Sequence, residues 1–285
     1  MPLPPEALVL IEAALAEDVG GGDFSTLWTV PADRRAIARI TAKASGVIAG
    51  SEVAAEVFRR VDPSLSIDTI AADGTAVEPG DEVMRISGPA ASILTAERTA
   101  LNFLQQLSGV ATMTRRYVDR IAGTGARVID TRKTTPGMRR LEKAAVLAGG
   151  GANHRVGLYD MVMIKDNHIA ASGGIAAAVA AVRARNGRGL RVEVETTNLD
   201  EVRQALAAGA DRIMFDNMTP ETMHQAVALV AAHGDGRPET EASGGITLET
   251  IRSYAETGVD FISVGALTHS APALDLSLRL EAAEG

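Results

Sequence analysis

The chain has 285 residues, of which 46% are hydrophobic and 22% are charged, and its formal net charge at pH 7 is −8. This composition is typical of a folded globular enzyme and excludes a disordered or fibrous chain. The negative charge argues against general binding of nucleic acid. The chain contains no cysteine, which excludes a disulfide framework, a zinc–thiolate site and a thiol nucleophile.

The sequence carries no pattern for export or membrane insertion. Its first residues lack a basic leader followed by an apolar core, and no later stretch approaches the about 18 apolar residues that a membrane span needs. We therefore expect a cytoplasmic protein that acts on small molecules and binds neither membrane nor nucleic acid.

The first part of the chain, residues 1–115, predicts a small α+β domain. A helix is expected over 4–18, and short β-like runs follow between turn signals, at 36–42, 47–49, 65–71 and 82–87. A helical stretch over 93–121, broken near Gly109, then bridges to the second half.

Residues 116–285 alternate apolar β-like runs with amphipathic helical stretches. The runs lie at 127–130, 161–165, 191–195, 212–216, 240–243 and 261–264, and the helices at 139–149, 173–186, 199–208, 220–233 and 248–257. This alternation predicts a parallel sheet with helical crossovers, in either a β/α barrel or a doubly wound sheet. Nearly every run ends in charged, Ser or Gly residues, and the C-terminal face of a β/α barrel carries its chemistry, which favours the barrel.

Positive charge is concentrated in one segment. Residues 98–165 contain 12 Lys or Arg against 4 Asp or Glu, a net charge of +8, while the rest of the chain carries −16. Five cations lie at or just beyond the first two barrel strands: Arg132, Lys133, His154, Arg155 and Lys165. Arg presents a planar fork to carboxylates and phosphates, and Lys a mobile point charge. These residues predict an anion pocket, with exposed charge on loops as the competing interpretation.

Carboxylates stand at other strand ends. Glu195 and Asp216 end successive strands, and Asp166 follows Lys165. Such oxygen ligands beside a phosphate-rich substrate suit Mg²⁺, which few protein carboxylates hold together with substrate phosphates. Each carboxylate is alternatively a helix N-cap or an ion-pair partner. Glu193 is expected to face away from Glu195 or into the barrel interior, with its role left open.

Glycines follow the last two strands. Ser243, Gly244 and Gly245 end one strand and Gly265 follows the next. Loops at this position in β/α barrels often bind phosphate through backbone N–H groups, so a phosphate site is predicted, although a Gly-Gly pair is equally common in plain turns.

Several motifs occur in order along the chain. They are EDVGGGD at 17–23, ERTALNFLQQLSG at 97–109, DTRKTTPGMRRLEKAAVLAGGGANHR at 130–155, IKDNHI at 164–169, EVE at 193–195, DN at 216–217, ASGGI at 242–246 and SVGALTHSAP at 263–272. Over nearly the whole chain they resemble the quinolinate phosphoribosyltransferase family. Thr196-Thr197 and Phe215 depart from the usual family pattern and leave the metal geometry and the family branch in doubt.

The resemblance implies a fold, an assembly and residue roles. The fold would be an open β/α barrel beside the smaller N-terminal domain, on which a C-terminal helix would pack. The assembly would be a homodimer, or a hexamer of dimers, with Arg98 reaching the neighbouring subunit's site. The two carboxylates of quinolinate would be held by Arg98, Arg132, His154, Arg155 and Lys165. Phosphoribosyl pyrophosphate and Mg²⁺ would be surrounded by Lys133, Glu195, Asp216, Ser243, Gly244, Gly245, Gly265 and His269, with Asp166 close by as a further metal ligand.

The implied reaction transfers a phosphoribosyl group to quinolinate with decarboxylation, with Lys133, Glu195 and Asp216 as catalytic residues. Bringing two polyanions together requires cancelling several negative charges, for which the positive segment and Mg²⁺ are suited. Three alternatives stay open: a divergent relative associated with molybdenum transport, a non-catalytic anion-binding protein, and an N-terminal carrier domain. The last lacks a lysine at the tip of its Val77–Asp81 hairpin.

Overall fold

The computed structural model describes residues 3–234 and 236–282, and the chain groups into two compact units. Unit 1 comprises the described residues of Met1–Arg115, Thr134–Gly150 and Ala266–Gly285, and unit 2 those of Arg116–Lys133 and Gly151–Gly265. Residues 134–150 and the described residues from 266 on group with unit 1, and the division into domains of 1–115 and 116–285 stays a prediction. Residues 1–2, 235 and 283–285 of the predicted domains lie outside the described residues.

The elements follow one another as the alternating patterns predict. Up to residue 120 they are α1 (Pro5–Val19), α2 (Phe24–Thr29), β1 (Arg35–Ala42), β2 (Gly46–Val47), α3 (Ser51–Val61), β3 (Ser66–Thr69), β4 (Ala76–Val77), β5 (Glu82–Pro89) and α4 (Ala90–Arg120). The elements after residue 120 are β6 (Arg127–Ile129), α5 (Arg139–Ala148), β7 (Val162–Ile164), α6 (Asp166–Ser172), α7 (Ile175–Arg185), β8 (Val192–Thr196), α8 (Leu199–Ala207), β9 (Arg212–Asp216), α9 (Pro220–Ala231), β10 (Glu239–Ser243), α10 (Ile251–Ala255), β11 (Phe261–Ser263), α11 (Ala266–His269) and β12 (Leu276–Ala282).

Unit 1 contains an antiparallel sheet in the order β12-β1-β5-β3. In β1 the side chains of Ala36, Ala38, Ile40 and Ala42 alternate inward and are buried. The expected C-terminal helix is wrong, because 276–282 form strand β12, which pairs with β1 from Ala36 to Ala42. Its sequence alternates Leu with polar residues, Leu-Ser-Leu-Arg-Leu-Glu, and a period of two predicts a strand.

Helix α4 is continuous through Gly109, so the predicted break there is wrong. A Cβ on Gly109 would stand 2.2 Å from the carbonyl oxygen of Pro272, well inside van der Waals contact. The glycine therefore permits the close approach of another chain segment, which outweighs its cost in helix propensity of about 1 kcal/mol. Beside it, the Gln105 side chain donates to the carbonyl of Leu276 at 2.7 Å.

Unit 2 is a six-stranded parallel sheet in the order β6-β11-β10-β9-β8-β7. Strands β7 to β11 are neighbours in chain order, and β6, the first in the chain, pairs with β11, the last. That order is the order of a barrel, and β6 and β7 are the two end strands of this sheet in the described part of the chain. Beyond β6, Ala152 forms a parallel bridge with Ile129. The predicted open β/α barrel is confirmed.

Helices follow these strands close to their predicted positions. The helix predicted over 173–186 is confirmed as α7, and it is preceded by a helix that was not predicted, α6, which ends at Ser172. Gly173 and Gly174 between them both have positive φ angles, which end a right-handed helix. No helix among the described residues is long and apolar enough to cross a membrane.

Candidate active site

Alternate residues divide the sheet of unit 2 into an apolar and a polar face. Buried apolar side chains occupy one set of positions, Val192, Val194, Ile213, Phe215, Ala242 and Ile262. The other set carries charged and polar groups in register across strands β8, β9 and β10. These groups form three rows across the strands. The first row contains Glu193, Arg212 and Glu239, and the second contains Glu195, Met214 and Glu241. The third row, at the C-terminal ends, contains Asp216 and Ser243. Residues two apart in a strand share a face, so Glu193 lies on the same face as Glu195, and the expectation that it turns away is wrong.

Charged residues of the first two rows form, together with His154, a group called here the inner cluster: Arg212, Glu193, Glu239, Glu241 and His154. All of them are buried except Glu239, whose side chain is 35% exposed. Arg212 donates through Nε and Nη2 to Glu239 Oε2 at 3.0 and 2.8 Å, and through Nη1 to Glu241 Oε2 at 3.1 Å. Its guanidinium carbon lies 4.3 Å from the centre of the Phe261 ring. One cation thus holds two carboxylates and packs over an aromatic face.

His154 joins this cluster from the loop between α5 and β7. Its backbone N–H donates to Asp130 Oδ1 at 2.9 Å, and Nε2 lies 3.0 Å from Glu193 Oε2 and 3.3 Å from Glu241 Oε2. The Arg155 N–H points at Nδ1, at 2.6 Å, which favours a neutral ring. Burial also lowers the pKa of His154, but the two carboxylates outweigh both effects and raise it to about 9. His154 is therefore a buried cation at neutral pH.

The atoms of His154, Glu193 and Glu241 also have the spacing of metal ligands. Their nearest nitrogen and oxygen atoms lie within 4.8 Å of one another. However, Arg212 and the imidazolium of His154 supply two positive charges beside the two carboxylates. Burial and the neighbouring Glu241 also raise the pKa of the Glu193 carboxyl well above its ordinary value, so a divalent ion added next to Arg212 would bring positive charge to a buried site that already holds two cations.

Two predicted cations of the acceptor pocket influence each other. Burial lowers the pKa of the Arg155 guanidinium, and the positive charge of Arg132 lowers it further. Arg155 is held by the carbonyl of Met161, which accepts from Nη1 at 3.3 Å, while Arg132 and Lys133 are exposed. An anion bound between the two guanidinium groups would relieve their repulsion.

Lys165 and Glu195 form a pair at the open end of the sheet. Lys165 Nζ donates a hydrogen bond to Glu195 Oε2, with 46% of the Lys165 side chain exposed against 10% of that of Glu195. Lys165 is predicted to bind the acceptor and Glu195 the donor, so this ion pair connects residues assigned to different substrates. Lys165 remains accessible to a ligand, whereas Glu195 is nearly enclosed.

The turns after β9 and β10 interlock. Gly244 and Gly245 both have positive φ, 98° and 60°, and so does Asn217, at 54°. A Cβ on Gly244 would stand 2.2 Å from Asn217 Oδ1, while Gly245 faces open space. Asn217 donates from its backbone to the Ser243 carbonyl at 2.9 Å and from its side chain to Asp216 Oδ2 at 2.7 Å.

The predicted metal ligands are separated in the structure. Asp216 is half-buried beside Asn217, Glu195 is bonded to Lys165, and Asp166 is exposed at the start of α6, where it accepts from the Asn167 N–H at 2.7 Å. Among the described residues, these three do not form a group at common ligand distance. The arrangement fits an ion that takes one or two protein carboxylates and completes its shell with phosphate oxygens and water.

Two predicted residues lie in unit 1. Arg98 is exposed on α4, and His269 is exposed at the end of α11 with Nδ1 2.6 Å from Ser270 Oγ. Gly265 directly follows β11 in unit 2. Their predicted contacts with substrates stay predictions.

A mainly apolar cavity of about 450 Å³ lies elsewhere in unit 2, along β7 and α7. Val162, Ile164, Val182 and Leu190 are among the residues that line it. No residue predicted for the site lines this cavity, so its size does not identify the chemistry.

Comparison with known proteins identifies the family. The family model of the quinolinate phosphoribosyl transferase C-terminal domain matches residues 110–279, and that of the N-terminal domain matches residues 23–108. The chain belongs to the quinolinate phosphoribosyltransferase family. It is 46% identical over 280 residues to the probable nicotinate-nucleotide pyrophosphorylase (carboxylating) of Synechocystis, covering 98% of this chain and 94% of that protein. Its Bacillus subtilis counterpart is 45% identical over 269 residues, 94% of this chain and 91% of that one.

Solved structures of the family have the same fold. The nicotinate-nucleotide pyrophosphorylase of Francisella tularensis superposes with a TM-score of 0.93 at 40% identity, covering 98% of each chain. NadC from Streptococcus pyogenes gives a TM-score of 0.94 at 42% identity, covering all of both chains.

Within this member of the family, sequence reasoning missed the partners that hold the site residues. Arg212 and Glu241 received no role, and Asn217 was noted only as part of a motif. One signal was available: charged residues recur at alternate positions inside otherwise apolar runs, as in Val-Glu-Val-Glu at 192–195, which indicates a polar sheet face. Which loop residue meets that face was not readable, because His154 lies 39 positions before Glu193.

Proposed function

We propose that this chain transfers the phosphoribosyl group of 5-phosphoribosyl 1-pyrophosphate to quinolinate and releases CO₂ and pyrophosphate, giving nicotinate mononucleotide. The observation that carries the proposal is the concentration of cations at the C-terminal ends of β6 and β7. There Arg132 and Arg155 oppose each other's charge and Lys165 is half exposed. Such a pocket suits an acceptor with two carboxylates.

On the acceptor side, Arg132, Arg155 and Lys165 bind the two carboxylates of quinolinate. His154, the remaining unit-2 residue predicted for the acceptor, is paired with Glu193 and Glu241, so in this proposal its charge is balanced by those carboxylates and the acceptor's carboxylates are bound by the other three cations. When a carboxylate of quinolinate binds Lys165, it competes with Glu195 for the ammonium group.

On the donor side, the turns after β10 and β11 bind the phosphate groups. Gly245 faces open space, so its backbone is accessible to a phosphate oxygen. Ser243, Gly244, Gly265 and His269 complete the phosphate contacts, and Lys133 binds the pyrophosphate. Mg²⁺ held by Asp216, with Glu195 and Asp166 nearby, would supply charge neutralisation for the pyrophosphate oxygens.

Neither chemical step needs a protein nucleophile. The lone pair of the pyridine nitrogen forms a bond to the anomeric carbon while the bond from that carbon to the pyrophosphate oxygen breaks, and pyrophosphate leaves with the electron pair. Lys133 stabilises the departing charge. The adjacent carboxylate then leaves as CO₂, its bonding electrons remain on a ring carbon that the pyridinium stabilises, and that carbon takes a proton from water.

The test is an assay of the purified chain with the donor and Mg²⁺, using quinolinate and nicotinate in parallel. We expect efficient formation of nicotinate mononucleotide and pyrophosphate from quinolinate. Turnover of nicotinate should be inefficient, because nicotinate lacks the second carboxylate that the pocket binds. Folded protein that forms no nucleotide from quinolinate would contradict the proposal. Calorimetric titration of the donor with and without Mg²⁺ would then identify a non-catalytic anion-binding protein.

We further propose a homodimer, or a hexamer of dimers, in which Arg98 completes the neighbouring subunit's acceptor pocket. An Arg98→Ala variant mixed with a Lys133→Ala variant, after unfolding and joint refolding, should regain part of the activity that each has lost, because a mixed dimer contains one intact site. The same two proteins refolded separately are the control, and no gain over them would contradict a shared site.

A further inference from the structure

We infer that Asn217 is a positioning residue that orients Asp216 and fixes the Gly244–Gly245 turn for the phosphoribosyl donor. The inference rests on the proposed function, since it assigns both groups to the donor. It concerns one side chain that touches two neighbouring strand ends, those of β9 and β10.

The backbone of Asn217 is in a costly conformation. Its φ of 54° is the one positive value at a non-glycine residue in 3–234 and 236–282. Asn tolerates this left-handed region better than most residues, but glycine adopts it freely. The conformation aims the Asn217 N–H at the Ser243 carbonyl, 2.9 Å away, and so joins the two turns through the main chain.

The side chain adds two contacts that glycine would not provide. Nδ2 donates to Asp216 Oδ2 at 2.7 Å, which occupies one carboxylate oxygen and orients the other. Oδ1 lies against Gly244, 2.2 Å from the place where a Cβ would stand. Partners of this kind, which orient a ligating carboxylate without binding the substrate, typically change affinity or activity by about 10- to 100-fold when they are lost.

A plain turn is the competing explanation, and it makes a different prediction. If only the left-handed backbone mattered, glycine at 217 would serve as well as asparagine or better. The side-chain contacts are informative because the turn does not need them to form.

The central experiment compares Asn217→Gly with Asn217→Asp and with the wild-type chain. Asn217→Gly keeps the backbone conformation and removes both side-chain contacts. We expect its KM for the donor to rise by about 10-fold or more, with an unchanged KM for quinolinate and an unchanged unfolding midpoint. Asn217→Asp keeps the shape but replaces the donating amide by a carboxylate beside Asp216, so the donor KM should rise at least as much.

Asn186→Gly is the matched control. Asn186 also lies in unit 2 and uses its side chain to bond the chain at Leu190, but it stands in the loop between α7 and β8, before the N-terminal end of β8. Its substitution should leave both KM values unchanged.

A second pair of variants tests the contact with Gly244. Gly244→Ala places a methyl group 2.2 Å from Asn217 Oδ1 and 2.9 Å from the Asn217 backbone nitrogen, and should weaken donor use. Combining it with Asn217→Gly removes the side-chain collision but leaves the backbone nitrogen and the positive φ of residue 244, so it should recover part of that loss and not all of it. If the wild-type chain turns over quinolinate and Asn217→Gly has the same kinetic constants, the inference is wrong but the proposed function stands. Absence of wild-type turnover would overturn the proposed function instead.

Discussion

The inner cluster and the charged residues at the C-terminal strand ends, called here the rim (Lys133, Lys165, Glu195 and Asp216), belong to the same sheet, yet their surroundings differ. Along β8 and β9 the two regions are two to four residues apart. Glu193 and Arg212 are buried with charged partners inside unit 2. Asp216 is half-buried and Lys165 half exposed at the C-terminal ends. Both regions contain positive and negative side chains, so charge alone does not distinguish the residues that bind substrate from those that stabilise the fold. What differs is access: Glu193 and Arg212 are enclosed with their charged partners, whereas Lys165 and Asp216 at the rim are accessible to a ligand.

The largest effect that this comparison predicts is on stability. Arg212→Met removes the guanidinium and leaves buried carboxylates without that cation, so the free energy of unfolding should fall by about 3–5 kcal/mol. Denaturant unfolding measures it. Arg203→Met, which breaks an exposed pair with Asp200, is the control and should change stability by less than about 1 kcal/mol. If Arg212→Met loses no more stability than Arg203→Met, the inner cluster does not stabilise the fold more than an exposed ion pair does.

At the rim the effect should fall on turnover. Lys133→Ala deletes an exposed ammonium group that we place on the departing pyrophosphate, and kcat should drop by about 10²- to 10³-fold with an unchanged unfolding midpoint. Lys43→Ala, at an exposed lysine of unit 1, should retain full activity. Retention of most of the rate in Lys133→Ala would exclude this residue from the chemistry.

The smallest effect is a pH dependence of stability that arises in the inner cluster. The pKa of His154 is about 9 in the folded chain against about 6.5 for an unfolded histidine. Its stabilising contribution is therefore complete below about pH 6.5 and is lost as the pH rises through 9. Unfolding at pH 6, 7.5 and 9 should show a decline that His154→Gln reduces, and parallel curves for the two proteins would show that His154 does not titrate in this way.

The fold was predictable because its signals are local. Each barrel strand lies within about two residues of its predicted position, since the apolar face of every strand repeats with the period of a strand. The errors arose where a distant segment decides the outcome. The sequence predicts a helix break at Gly109, because it does not show the close approach of Pro272. Likewise it does not show that the C-terminal segment pairs with β1 as a strand.

The site was predictable as a set of residue types at strand ends, and less so as a set of contacts. Lys165 and Glu195 were assigned to different substrates, yet they bond each other. His154 is predicted to hold a carboxylate of quinolinate, but the structure pairs it with Glu193 and Glu241, and the sequence does not show this because these carboxylates come from strands later in the chain. Spacing along a sequence shows which groups reach an edge, and only packing shows which of them are paired there.

Strand β12 has a consequence for the order in which the protein is made. It pairs along the whole of β1 from Ala36 to Ala42, but every strand of the barrel precedes it in the chain. A ribosome therefore synthesises the entire barrel sheet before it releases the strand that covers this edge of the N-terminal sheet. Until then β1 presents unpaired backbone groups along that edge, which other strands can bind. The first sheet to be started is thus the last to be finished, and a nascent chain is exposed to mispairing for most of its synthesis.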